Sequence, residues 1–137
     1  MVFETEFPVR YYETDQMGVV HHSNYVRYFE CARNVMMESL GYPIQKCEED
    51  GVTIPVVKVE CHYKFPARMG DTVKAVARIN KTPMAKLEVE QAVYNQDGVL
   101  CAEGLVVLGF LNKETGRPAR CPEILRDIIQ QGVEKDA

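Results

Sequence analysis

The chain has 137 residues, 46% hydrophobic and 26% charged, and a formal net charge of −4. That balance suits a single soluble globular domain over residues 1–137, with a core needing neither metal nor disulfide support. The charge argues against nucleic acid as the main partner, and no apolar run approaches the ~18 residues of a membrane span.

The opening MVFETEF lacks a basic-then-apolar leader, so a cytoplasmic protein is expected. From Phe3 to Tyr12 the residues alternate, with Phe3, Thr5, Phe7, Val9 and Tyr11 opposite Glu4, Glu6, Arg10 and Tyr12, which is strand period. Pro8 cannot donate to a ladder, so this strand belongs at an edge or leaves Pro8 unpaired. Residues 13–41, ETDQMGVVHHSNYVRYFECARNVMMESLG, read as a loop feeding a long helix. From Ser23 onward Tyr25, Phe29, Ala32, Met36 and Leu40 recur at helical spacing, with Arg27, Glu30, Asn34 and Glu38 on the other side. Ser23 is the expected N-cap and Gly41 the left-handed stop, giving a rod roughly 25–27 Å long.

Residues 42–51 read as a connection with a short helical turn. Four strands follow: Thr53–Phe65, Val73–Ile79, Leu87–Val93 and Leu100–Leu111, the last two joined by the hairpin signal Asn95-Gln96-Asp97-Gly98. The final strand turns apolar on both faces after Gly104, so an interior position is expected. PEILRDIIQQ (residues 122–131) reads as a terminal helix, with Val133–Ala137 as a frayed tail. The order strand, long helix, four strands predicts an α+β fold in which an antiparallel sheet of five strands buries the helix. An exposed sheet edge needs a cover, so a homodimer is expected.

The five cysteines, Cys31, Cys47, Cys61, Cys101 and Cys121, show no zinc-type spacing and read as reduced thiols in or near the core. The neighbours His21 and His22 project differently and have no partner ligands at suitable spacing, so no metal site is expected. Asp15 and Gly18 lie just ahead of the helix. A carboxylate there sits beside free N–H groups and the positive end of the helix dipole, where an oxyanion is held and the acid works on the same centre. The residues alone also allow Asp15 simply to close a turn, with both histidines on the surface.

Three features resemble the hot-dog fold acyl-CoA thioesterases of the 4-hydroxybenzoyl-CoA thioesterase-like group: VRYYETDQMGVVHHSNYVRYFECAR (Val9–Arg33), the turn KFPARMGD (Lys64–Asp71) and the order of elements. The HH-S-N-Y run is similar to the bacterial branch found with the Tol–Pal envelope system. The resemblance implies an acyl-CoA substrate, no cofactor, and a homodimer or homotetramer with active sites at the subunit interface. It places the family's aspartate at Asp15, as nucleophile or general base, and its loop glycine at Gly18. It gives the carbonyl-polarising amide to His22, whose ring either assists the leaving sulfur or points to solvent. Tyr25 then lines the acyl pocket or simply packs in the core. Lys81 and Lys86 flank the turn that carries nucleotide contacts in relatives, or are plain surface lysines. The rival functions are a non-catalytic hot-dog dimer that binds acyl groups or a protein, and another acyl-thioester enzyme such as a dehydratase.

Overall fold

A computed structural model describes residues 1–136. The apolar row from Tyr25 to Met36 forms the inner stripe of α1 (Ser23–Ser39), Leu40 follows at its C-cap, and all five residues are buried. Gly41 ends the helix at φ 73°. Its N–H donates to Glu38 O and that of Tyr42 to Met37 O, so the last carbonyls are satisfied by a left-handed stop. The start differs from expectation. Ser23 is the first helical residue, and the N-cap position falls on His22, whose side chain makes no capping bond. Instead the Ser23 N–H donates to His21 Nδ1 at 3.3 Å and the Ser23 hydroxyl pairs with the same nitrogen at 2.9 Å.

Alternation produces the strands β1 (Val2–Pro8), β2 (Val52–Thr53), β3 (Val56–Tyr63), β4 (Thr72–Arg78), β5 (Lys86–Tyr94), β6 (Leu100–Gly109) and β7 (Leu111–Asn112). Five of them form an antiparallel sheet in the order β1-β4-β5-β6-β3, and β2 pairs with β7 in a separate ribbon. Pro8 lies on edge strand β1, as its missing donor requires, and β6 is interior. Phe3, Thr5 and Phe7 pair with Ala77, Ala75 and Val73, which carry the inner face across to Gln91 and Val93 of β5. That face packs on α1, which lies against β1, β3, β4 and β5. The α+β arrangement of a five-stranded antiparallel sheet around one long helix is therefore the observed one.

Four element boundaries differ from the sequence reading. The first strand stops at Pro8, and Tyr11–Glu13 form a 3-10 turn instead of its continuation. The stretch from Thr53 to Phe65 is interrupted at Ile54-Pro55, where proline has no N–H for the ladder, leaving β2 and β3. Leu111 leaves the main sheet and joins the β2–β7 ribbon. The terminal helix α3 (Glu123–Asp136) runs past Gln131, because the chain start holds its end: the Met1 side chain lies over Gly132, and the terminal amine pairs with Asp136. Leu125 and Ile129 of α3 are wholly buried in the same core as α1. The connection after Gly41 contains the expected short helix, α2 (Ile44–Glu49).

Candidate active site

The loop carrying Asp15 is closed on itself. The Asp15 N–H donates to Val19 O at 2.9 Å, the Gly18 N–H to Asp15 O at 3.1 Å, and Thr14 bridges Val20. Gly18, at φ 75°, takes the left-handed conformation this turn requires, and its carbonyl accepts the Met69 N–H at 3.1 Å. Its contribution is to the loop's shape. The Asp15 side chain is exposed; Oδ1 accepts the Met17 N–H at 2.8 Å, and Oδ2 has no protein donor among the described residues. Turn-closing, the plain structural role for Asp15, therefore occupies one carboxylate oxygen and leaves the other open.

At the helix start the amides are spent unevenly. The His21 N–H donates to Glu13 O, that of Ser23 to His21 Nδ1, that of Asn24 to His21 O and that of Tyr25 to His22 O. The N–H of His22 has no acceptor among the described residues, and it sits at the positive end of a 17-residue helix. The His22 side chain is exposed. Its ring lies 4.1 Å from that of His21, only 32° from parallel, so the two neighbours project together and not apart. No group of three potential metal ligands occurs among the described residues.

Tyr25 is 3% exposed, and its Oη accepts the Ala67 N–H at 3.0 Å, which fixes the Lys64–Asp71 turn beside the helix. Burial is the first cause of its raised pKa. Its ring meets Tyr63 edge-on at 5.5 Å, and the Tyr63 hydroxyl donates to His22 O at 3.3 Å. Tyr63, Phe65, Met69 and Met17 stand open to solvent around this corner. Two cavities, of about 330 Å³ beside Thr72 and Tyr94 and about 300 Å³ beside Met84 and Arg126, are lined by neither Asp15 nor His22.

Asp15, Gly18, His22 and Tyr25 are thus brought together, whereas Lys81 and Lys86 are not. The Asp15 corner adjoins the start of β4, where the Val9 N–H donates to Asp71 O, and the lysines flank the turn at the far end of that strand. Seven residues of strand put about 20 Å between them within one protomer. Lys81 is paired with Glu88 at 3.1 Å, and Lys86 is exposed. Sequence reasoning passed over Glu13, Asn24 and Tyr28, which are buried under the loop; no periodicity marks a buried glutamate.

Comparison with known proteins decides the family. Residues 9–129 match the model of the thioesterase-like superfamily. The chain belongs to that superfamily. Among its relatives, YneP of Bacillus subtilis is 33% identical over 117 residues, covering 85% of each chain. The acyl-CoA thioester hydrolase YbgC of Escherichia coli O157:H7 is 30% identical over 119 residues, 85% of this chain and 89% of that one. The DHNA-CoA thioesterase of Staphylococcus aureus superposes with a TM-score of 0.87 at 27% identity, over 98% of this chain and 91% of the other. The thioesterase-like match begins just after β1 and spans the Asp15 loop, α1 and the other four strands of the sheet, and the fold is the hot-dog fold.

Proposed function

We propose that the protein hydrolyses acyl-CoA thioesters to the free acid and coenzyme A, with Asp15 as nucleophile or general base and the His22 N–H as oxyanion donor. A thioester carbonyl is poorly stabilised by its sulfur and open to attack, so hydrolysis needs an attacking oxygen, a donor for the oxyanion and a tolerable thiolate. The observation that carries the reading is the unengaged His22 amide at the start of α1, preceded by a loop that presents an open carboxylate oxygen. A well-aimed donor of that kind is worth about 3–4 kcal/mol in the transition state. Asp15 either adds to the carbonyl, expelling thiolate and leaving a mixed anhydride for water to cleave, or takes a proton from the attacking water. The His22 ring stands where it can orient that water or protonate the sulfur.

The substrate cleft is completed by a second copy. Strand β3 ends the sheet, and Val57 and Val59 on it are 52% and 40% exposed. A two-fold axis pairing this edge with itself antiparallel sets the Tyr63 end of one copy beside the Val56 end of the other. The Val56 end is the end where Lys86 pairs with Gly109, so the partner's basic turn, and not the protomer's own, comes toward Asp15. In that arrangement Lys81 and Lys86 serve the phosphates of coenzyme A bound at the neighbouring site.

The test is release of free thiol from a panel of acyl-CoAs. Asp15→Asn is expected to lower kcat by at least about 100-fold with the fold intact. Release no faster than the uncatalysed rate by both proteins would sink the reading and favour a hot-dog dimer that binds acyl groups without cleaving them, and equal release well above that rate would remove Asp15 from the chemistry. After a single turnover in ¹⁸O-water, label in the Asp15 carboxylate establishes a mixed anhydride cleaved at the aspartyl carbonyl, because the general-base route puts the label only in the released acid.

A further inference from the structure

Two residues before Asp15 lies a carboxylate that the reaction does not use. Glu13 is 7% exposed. Its Oε1 accepts the Arg10 N–H at 2.8 Å and the Tyr28 hydroxyl at 3.0 Å, and Oε2 faces the Arg10 guanidinium at 3.5 Å. Its main-chain oxygen accepts twice more, from the His21 N–H at 2.9 Å and from Asn24 Nδ2 at 2.8 Å. The loop leaves the fold at Glu13 and returns at His21, so both of its arms are tied to this one residue. The ties run onward into the first two turns of α1, where Asn24 and Tyr28 are themselves buried.

A buried carboxylate is a poor device for stability, because a hydrophobic group of similar volume often does as well or better. What it supplies here is a direction. A side chain that accepts from Tyr28 and from the Arg10 amide cannot rotate without stranding both donors, and its carbonyl is held with it. We propose that Glu13 is a positioning residue, setting the Asp15 loop against the open His22 amide so that carboxylate and oxyanion donor meet at one carbon. The catalytic half of this inference rests on the thioesterase reading. Tyr25 plays the matching part on the other wall through the Ala67 amide.

Tyr28→Phe removes one donor to Glu13 and touches neither Asp15 nor the helix-start amides. Amide hydrogen exchange over residues 14–22 is expected to speed up about 10-fold, with β4 and β5 unchanged. With an acyl-CoA, kcat is expected to fall about 10-fold while KM stays within about 2-fold, as a displaced attacking group requires. Glu13→Gln keeps an acceptor for both donors and restores most of the rate lost in Glu13→Ala. Unchanged loop exchange, faster exchange spread evenly over the sheet, or a loosened loop with the parent kcat would each overturn the proposal. No acyl-CoA turnover by the parent protein would instead remove the thioesterase reading, full turnover by Asp15→Asn would remove Asp15 as its attacking group, and in either case the exchange measurement decides by itself whether Glu13 fixes the loop.

Discussion

Asp15 holds the Met17 amide with one oxygen and offers the other, so the same side chain closes its turn and faces solvent. Its motif position and that of His22 were legible because loop, acid and helix start are contiguous in the chain. Glu13 and Tyr28 were not legible, since the hydrogen bond between them joins positions 15 residues apart. The cysteines follow simple burial. Cys121 is 6% exposed, and burial pushes its thiol from an ordinary 9.0 to about 12. Between those values the unfolded thiol is ionised while the folded one keeps its proton. Cys121 therefore contributes stability below pH 9 and loses it as pH rises, by about 1.4 kcal/mol per unit. Cys121→Ala is expected to flatten that part of the curve of unfolding free energy against pH. With an aromatic disulfide reagent at pH 8, Cys31 and Cys61, both half-buried, should react before Cys47, Cys101 and Cys121. Fast labelling of Cys121 in the folded protein would contradict this burial.

Helix α1 was readable end to end because its inner row repeats at the period of the helix itself, whereas its cap was not. Ser23 has the right chemistry for an N-cap, but the His21 ring reaches the Ser23 amide first and moves the helix start one residue earlier. Strand β6 shows a similar limit. Gly104 marked the change to an apolar strand, and the structure adds the reason for glycine: a Cβ there would come 1.8 Å from the main-chain oxygen of Glu60. That atom belongs to β3 and cannot yield without breaking the ladder. Gly104→Ala is expected to cost about 3 kcal/mol, the upper part of the overpacking range, measured by urea unfolding. Gly109→Ala in the same strand would meet side chains alone, Val57 Cγ1 at 3.1 Å and Pro55 Cγ at 4.0 Å, and should cost under about 1 kcal/mol. Equal losses for the two would show that β3 is not pressed against β6 as described.

For the whole molecule, the uncovered apolar edge is β3, which carries Val57 and Val59 to solvent. Such an edge invites another strand. Light scattering after gel filtration is expected to give at least twice the protomer mass, and Val59→Lys to return it toward one protomer. On the proposed shared cleft, thioesterase turnover should fall with the mass. A monomeric parent protein with full activity would contradict this. The long helix, the alternation of the strands and the acid before the helix can all be read along the chain, since each is written in neighbouring residues. Which amide is left open, which glutamate is buried and how far the lysines stand from Asp15 come from the folded arrangement alone. Those depend on strands and side chains that meet across the sheet, where spacing along the chain carries no distance.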